Sequence, residues 1–544
     1  MTEEVSVSPE PKGQPPAAAP RRTTASSRPH GAQAAVPTWV TAVDPSKPAA
    51  AIGPDTLWAV LATAVLSAVL LDGDGLGLNL LLVALPAALA AAFAARTAGR
   101  RVRPWTLVWG IGGLALLAVP ALRDAGWPSG LAVGAAVLLS SLALHGGRTW
   151  HGVLLGTVGT FGSVGPSLRW GWRGARVVLL KGSRGQWGRV IRALGVALLL
   201  LLVFGALFAG ADAAFAELLD GLTPELAVDG TPLSALFFLL GLLGSLAAAR
   251  TAAAPLRWDR IEFQPGRPRG RLEWALPLIL LDVLFAAFIA VQLAVLFGGY
   301  RRVLEETGLT YAEYARQGFW QLLAVTLLSL VVIAFALRWA PRGGPGDRVL
   351  VRAVLGALCV LTLVVVAAAL RRMDFYVDAY GLTRLRLSVA GVELWLGVVL
   401  VLAMVAGVVG GRWLPRAVLA SAGAAVLLFG LLSPDALIAE HNVARYQRTG
   451  KIDVLYLQQL SADAVPALDR LPEPARSCSL LSLTRRIGPE AEEAAKPWYA
   501  SSLGERRARA LLHRRPAPKE LSCWPLYENR VRGGAALGSG ERPA

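Results

Sequence analysis

Aspartate and tyrosine side chains that could do chemistry are paired in residues 371–387. Asp374 and Asp378 are four positions apart, and Tyr376 and Tyr380 have the same spacing. If this segment is helical, each pair lies on one helix face. The carboxylates could serve a transferase as acid or base, whereas the tyrosines could equally anchor the segment at a membrane interface.

A second segment, residues 300–319, has a similar composition. Thr310 is followed three positions later by Glu313, which matches a capping box and predicts a short helix over 311–317. The candidate functional residues of this segment are Tyr311, Glu313, Tyr314 and Arg316.

A third segment follows residue 437 and contributes Asn442, Arg445 and Tyr446 as candidates. The run Glu440-His441-Asn442 is more typical of a polar helix than of a catalytic set. The five histidines are scattered and lack the spacing of zinc ligands. We therefore expect neither a metal site nor a cofactor.

Asp282 is the candidate in an apolar stretch. It lies eight residues into a span that begins near Trp274, roughly 12 Å deep in a hydrocarbon core of about 30 Å. It is the only charged residue expected so deep, because Glu393 lies nearer the end of its predicted span. Such residues usually face a bundle interior or an aqueous path. Proton or cation coupling and a protonated, hydrogen-bonded aspartate both remain open.

Apolar stretches must position these residues. The chain of 544 residues is 54% hydrophobic, with a mean hydropathy of +0.51, more than a soluble protein buries. Its repeated runs of about 20 residues predict membrane-spanning helices, and the fold class is an all-α polytopic bundle. The eleven predicted spans are 52–71, 76–95, 104–122, 129–145, 191–210, 233–250, 274–297, 318–338, 351–370, 389–409 and 416–433.

Arginines are concentrated in every second connection between these spans. Connections 96–103, 146–190 and 250–273 are strongly basic, whereas 72–75 and 211–232 carry only acids. Excess Lys and Arg marks the cytoplasmic side, so we expect the amino terminus inside and the carboxyl terminus outside. Residues 371–387 contain four arginines on the predicted outer side and oppose this pattern. The net charge of +17 thus indicates topology, and we expect no nucleic-acid partner.

Composition divides the chain into four predicted parts. Residues 1–50 contain nine prolines and predict a disordered cytoplasmic tail without a cleavable signal. Residues 51–437 form the bundle, 438–530 a small helical extracytoplasmic domain, and 531–544 a disordered tail. Asp453 and Ser461 are expected to begin short helices as N-caps.

Glycines recur every third residue from Gly156 to Gly165, within the long connection 146–190. No Gly-Lys-Ser/Thr sequence follows them, so this is not a phosphate-binding P-loop. The pattern predicts a flexible loop that leads into an interfacial amphipathic helix.

The chain contains three cysteines. Cys359 lies within a predicted span. Cys478 and Cys523 both fall in the predicted outer domain, where an oxidising environment permits a disulfide. A bridge and two free thiols are both compatible with the sequence.

Three stretches resemble a bacterial, notably actinobacterial, family of polytopic membrane proteins. They are residues 308–319, 376–386 and 433–446, and residues 451–457 and 460–468 are also similar to that family. The family is known only as a domain of unknown function, the four-one-five-three and four-one-seven-three group. The resemblance covers roughly residues 190–470 and implies a multi-pass membrane protein without a known reaction.

Three function classes are compatible with these features. The first is a non-catalytic membrane protein whose outer Tyr/Asp/Arg surface binds an envelope component or a partner protein. The second is a small-molecule or ion transporter that uses Asp282, although no internal repeat supports it. The third is a membrane transferase with outer carboxylates. The lipid bilayer is the one partner common to all three, and the sequence does not indicate an oligomeric state.

Overall fold

The computed structural model describes residues 49–72, 75–181, 232–261, 268–298, 319–341, 343–488, 496–516 and 523, all within the unit Ala42–Ala544. These residues form helices and connections without a β-strand, which confirms the predicted all-α class. The candidates Tyr311, Glu313, Tyr314 and Arg316, and the predicted tail 531–544, lie outside the described residues.

The helices up to residue 253 are α1 (Pro54–Leu70), α2 (Asn79–Thr97), α3 (Pro104–Leu117), α4 (Val119–Leu122), α5 (Trp127–His145), α6 (Trp150–Val158), α7 (Val164–Lys181) and α8 (Pro232–Ala253). The later helices are α9 (Arg271–Gly298), α10 (Phe319–Trp339), α11 (Pro345–Tyr380), α12 (Arg384–Val409), α13 (Leu414–Leu432), α14 (Pro434–Thr449), α15 (Val454–Leu457), α16 (Val465–Leu468), α17 (Ala475–Ile487) and α18 (Leu503–Arg514). Four 3-10 turns connect them: Phe161–Ser163, Trp258–Arg260, Gly411–Trp413 and Ala462–Ala464.

Nine helices of the described residues are long and apolar enough to cross a membrane. They correspond to nine of the eleven predicted spans, and α1, an apolar helix of 17 residues, corresponds to the span predicted at 52–71. The span predicted at 191–210 lies outside the described residues. The chain is therefore a multi-pass membrane protein.

Small and hydroxyl-bearing residues let the spanning helices pack closely. A Cβ atom on Gly241 of α8 would overlap the Ser67 hydroxyl of α1, so only glycine permits this approach. Ser67 and Thr362 donate their hydroxyl protons to carbonyls one turn earlier in their own helices, each at 2.7 Å. Such bonds satisfy polar groups where lipid offers none. Outward-facing side chains such as Leu328, 62% exposed, are apolar.

The connections between spans lie on two opposite faces. On the arginine-rich face, which we define as connections 98–103, 146–149, 254–260 and 410–413, Arg100 donates to the Ala252 carbonyl and Arg416 to the Gly147 carbonyl. On the tail face, defined as connections 71–78, 123–126 and 381–383 with all described residues after 433, the Asp124 carboxylate accepts from the Ala462 amide at 2.9 Å.

The described helices after residue 433, which we call the tail helices, share one apolar core. Leu457, Leu468 and Leu483 come from α15, α16 and α17 and are at most 1% exposed. A disulfide joins Cys478 to Cys523, with Cα atoms 5.7 Å apart. The tail helices are seated on the membrane bundle, since the Tyr499 carbonyl accepts from the Asn79 amide of α2.

Two local predictions have different outcomes. Asp453 caps α15 as expected, because its carboxylate accepts from the Tyr456 amide at 3.2 Å. The prediction of a flexible loop around Gly156 was wrong. That segment is helical, and the Ser141 hydroxyl of α5 donates to the Gly156 carbonyl at 2.7 Å. The glycine at position 156 has no side chain, and this allows α6 to lie close to α5.

Candidate functional site

The turn between α11 and α12 is held by a side chain of α14. Gly381 has φ +84°, in the left-handed region that favours glycine, and a Cβ atom there would overlap Asn442 Oδ1. Asn442 accepts from the Leu382 amide at 3.1 Å and donates to the Leu382 carbonyl at 2.8 Å. The side chain of the predicted candidate Asn442 therefore bonds to both backbone groups of Leu382 and holds the turn in place.

Arg445 caps the carboxyl-terminal end of α11. Its guanidinium donates to the carbonyls of Asp378 at 3.2 Å and Ala379 at 2.6 Å, and to the Lys451 carbonyl at 3.3 Å. Helix carbonyls at this end lack partners of their own and carry partial negative charge, so a cation is favoured there. Arg445 thus positions the helix end on which the paired tyrosines lie.

An ion pair between a half-buried arginine and a buried carboxylate connects α12 to α14. Arg384 binds both oxygens of Asp435, at 2.8 and 2.6 Å, and also donates to the Gln459 carbonyl at 2.7 Å. Asp435 is only 1% exposed and accepts a further bond from the Ser461 amide at 2.8 Å. Bidentate, charge-assisted bonds of this kind are strong and directional. The pair joins the bundle to the tail helices.

Tyr456 completes this contact between α12 and the tail helices. Its hydroxyl oxygen accepts from the Arg384 amide at 2.7 Å. Burial raises the pKa of the Tyr456 hydroxyl above its ordinary value. The phenol therefore stays protonated and uncharged at neutral pH, which suits a position next to a carboxylate.

A cavity of about 370 Å³ opens beside this contact, between α10, α11 and α12. The Arg386 guanidinium lies 4.1 Å from the centre of the Tyr376 ring and donates to the Gly381 carbonyl. Tyr380 packs edge-on against Tyr376, with ring centres 5.1 Å apart. The rest of the lining is mostly apolar: Phe319, Trp320, Met373, Thr383, Leu385 and Val389. A cation on an apolar wall fits a ligand with an anionic group and an apolar body.

Two carboxylates lie inside the membrane bundle. Asp282 is eleven residues from the start of α9, and its Oδ1 is buried without a hydrogen-bond partner among the described residues. Glu393 of α12 is completely buried, accepts from the Thr326 hydroxyl at 2.9 Å, and has no described partner for Oε2. Glu393 lies nine residues, roughly 13 Å, from the start of α12 at Arg384.

A family model described as Domain of unknown function (DUF4153) matches residues 110–471. The chain belongs to the DUF4153 family. This membership confirms the resemblance noted in the sequence, and the match includes the Arg384–Asp435 pair, Asn442 and the cavity. No curated protein and no solved structure matches the chain. The family description assigns no reaction. What this DUF4153 chain binds or transports must therefore be inferred from its own geometry.

The candidates predicted from sequence take different positions in the DUF4153 fold. Tyr376, Tyr380, Asn442 and Arg445 converge around the 381–383 turn. Asp374 and Asp378 are exposed on α11, outside the cavity lining, and Tyr446 packs against the core of the tail helices.

Sequence reasoning did not select the residues with the strongest contacts. Arg384 and Arg386 appeared only as exceptions to the charge alternation, and Asp435 only within the run that resembles the family. The sequence did contain a sign of their role. Arginines on the side of the membrane where the charge pattern predicts few basic residues need specific partners. Of the described residues, no cluster of three His, Cys, Asp or Glu could hold a metal.

Replacing Arg384 tests the ion pair. We expect Arg384→Ala to lower the free energy of unfolding by about 3–5 kcal/mol, because it leaves the Asp435 carboxylate buried without a counterion. The measurement is unfolding of the detergent-solubilised protein. Arg384→Met with Asp435→Leu should recover part of the loss. Arg448→Ala, an exposed arginine on α14, is the control, and equal stability of the Arg384 and Arg448 variants would contradict the assignment.

Proposed function

We propose that the arginine-rich face is cytoplasmic and that the tail face lies outside the cell membrane. The excess of arginine in the connections on one face supports this orientation. The disulfide between Cys478 and Cys523 lies among the tail helices and agrees with it, because such bonds persist mainly in oxidising compartments. The arginines of 371–387 are compatible with it, since Arg384 is paired with Asp435 and Arg386 lies over Tyr376.

We further propose that the protein binds an amphipathic, anionic component of the cell envelope in the cavity beside Arg386. The observation that carries this proposal is the lining itself. The Arg386 guanidinium lies over the Tyr376 ring in a cavity of about 370 Å³ whose other lining residues are mostly apolar. Two of them, Trp320 of α10 and Leu385 of α12, are 56% and 63% exposed. An amphipathic molecule could therefore enter it from the membrane.

The role we propose is binding without catalysis. The polar groups nearest the cavity already have structural partners: Arg384 is bound to Asp435, and Asn442 and Arg445 hold backbone groups. The polar side chains that line the cavity are the Arg386 guanidinium, the Tyr376 phenol beneath it and the Thr383 hydroxyl, whose oxygen accepts from the Arg386 amide. The described lining contains no carboxylate, histidine or thiol, and those side chains are frequent general acids, bases and nucleophiles.

Transport is the second candidate, and the buried carboxylates favour it. Asp282 and Glu393 each keep an oxygen without a described partner inside the bundle. Carboxylates in such positions are common in proton and cation pathways. Glu393 lies one helical turn below Val389, which lines the cavity. A path from the cavity to the carboxylate along α12 is thus short.

Cysteine labelling tests the proposed orientation. Ala444→Cys on the tail face should react with a membrane-impermeant maleimide in intact cells, whereas Arg101→Cys should react only after the membrane is opened. Both positions are exposed, and the native cysteines are either buried or bridged. The reverse labelling pattern would refute the orientation.

Photo-crosslinking tests the cavity ligand. A benzoylphenylalanine at position 385, in place of Leu385, should give one defined adduct in irradiated cells, identified by mass spectrometry. We expect Arg386→Gln to reduce its yield about tenfold, because a charge-assisted contact is lost, and the control Arg448→Gln to leave it unchanged. Adducts that merely reflect the bulk lipid composition, or that ignore Arg386→Gln, would reject the binding proposal. A protein adduct would indicate a partner protein instead.

Proton flux tests the transport candidate. In proteoliposomes with a potassium diffusion potential, the wild-type protein should admit protons that a trapped pH dye reports. Glu393→Gln should abolish the flux and Asp282→Asn should reduce it, because neither amide can carry a proton. Glu440→Gln, a carboxylate exposed on the tail face, is the control. Flux no greater than in protein-free liposomes would eliminate this candidate.

A further inference from the structure

A second cavity, larger than the Arg386 cavity, lies on the arginine-rich face. Its volume is about 770 Å³, within the roughly 300–1,000 Å³ typical of ligand pockets. Three connections that are distant in sequence meet there: 98–103, 146–149 and 254–260. They contribute five arginines to the lining, namely Arg100, Arg103, Arg148, Arg257 and Arg260.

Positive charge exceeds negative charge in the lining of this cavity. Asp259 is the one acidic residue among the lining residues. Its Oδ1 already accepts from the Arg148 amide at 2.8 Å and from the amide and hydroxyl of Thr149, both at 2.9 Å. That carboxylate oxygen therefore serves the start of α6. Arg100, Arg103 and Arg148 by themselves outnumber this one acidic side chain in the lining.

The arginines are close enough to affect one another. Burial, and then the nearby charges of Arg103 and Arg257, lower the pKa of Arg100 from its ordinary value. The guanidinium nevertheless stays charged at physiological pH. Arg100 is also fixed in place, because it donates to the Ala252 carbonyl at the end of α8. Like charges held together in this way repel, and a bound anion would relieve the repulsion.

One residue of this lining, His145, also carries a buried polar atom. His145, at the end of α5, is only 5% exposed. Its Nδ1 lies 3.0 Å from the Ser141 carbonyl and therefore carries the proton, because a carbonyl can only accept. Its Nε2 has no hydrogen-bond partner among the described residues. This nitrogen and the Trp258 Nε1 group, which also has no described partner, both lie beside Gly159, where a bound water would suit them.

Topology alone does not explain this convergence. The orientation of a protein in the membrane requires only that arginines occur in the connections of one face. Arg101 meets that requirement and is exposed without lining the cavity, whereas its neighbours Arg100 and Arg103 line it. The helix ends thus gather a particular subset of the basic residues around one volume.

We propose that this cavity binds a phosphate-bearing ligand, either the headgroup of an anionic phospholipid or a soluble phosphate compound. Guanidinium groups match phosphate oxygens with paired N–H donors. Basic pockets between membrane helices are suited to lipid headgroups, and the alanines at 253 and 254 with Pro255 give this cavity an apolar wall for the organic part of the ligand. The site differs from the Arg386 cavity in its residues and in its face.

Binding to the full-length protein in a neutral detergent tests the proposal. The probes are dioctanoyl-phosphatidylglycerol, the zwitterionic dioctanoyl-phosphatidylcholine and inorganic phosphate, and the readout is the dissociation constant. We expect saturable binding of the anionic lipid or of phosphate. It should weaken by about tenfold or more in Arg103→Gln with Arg148→Gln, because two charge-assisted bonds are lost. Both side chains are exposed, so this variant should fold, which its melting temperature checks.

Two control variants distinguish binding in this cavity from attraction to positive charge elsewhere on the protein. Arg101→Gln removes a neighbouring charge outside the lining, and Arg448→Gln removes an exposed cation of the tail face that lines neither cavity. Both should leave the dissociation constant within about twofold of the wild type. Preference for phosphatidylglycerol over both other probes assigns a lipid headgroup, and binding of inorganic phosphate assigns a soluble ligand. Absence of saturable binding, or equal affinity in the double variant, would overturn the proposal.

Discussion

The hydrocarbon core of the bilayer excludes unpaired polar groups, and the rest of this structure depends on that constraint. Backbone amides must be satisfied within each segment, so the apolar stretches are helices. Hydroxyl groups such as that of Thr362 return to their own helix carbonyls. Nearly all charges of the described residues are consequently forced to two faces, where connections that are far apart in sequence become neighbours. Asp282 and Glu393 are the exceptions within the bundle, which makes their surroundings informative.

On the tail face, the Arg384–Asp435 pair determines which segments meet. Its two charges would be costly to bury apart, but together they fix the start of α12 against α14 and the 459–461 segment. Asn442 and Arg445 then hold the end of α11 and the 381–383 turn. The Arg386 cavity is a consequence of this arrangement, since its walls come from helices whose relative positions the polar contacts determine. Of the predicted site residues, Asn442 and Arg445 thus position the walls of the cavity, whereas Tyr376 lines it.

Arginine has a different role on the arginine-rich face. On the tail face Arg384 has an acidic partner, whereas the lining of the larger cavity gathers five guanidinium groups around one aspartate with its own structural task. An arginine paired with a buried carboxylate holds the fold together. Arg100 lies close enough to Arg103 and Arg257 for their charges to lower its pKa, and a bound anion would relieve that repulsion at the proposed ligand site.

Sequence alone determined the all-α fold class, the number and approximate limits of the described spans, and which connections are basic. The reason is that lipid imposes a length and a composition on every spanning helix. It also identified Asn442 and the tyrosines at 376 and 380 as notable. Only the tertiary structure decided that Asp435 neutralises Arg384, that Glu393 is buried against Thr326, and that Arg100, Arg148 and Arg257 share a cavity. Those contacts join residues that are far apart in the chain. Their formation depends on how helices rotate and pack, and no local pattern encodes that geometry.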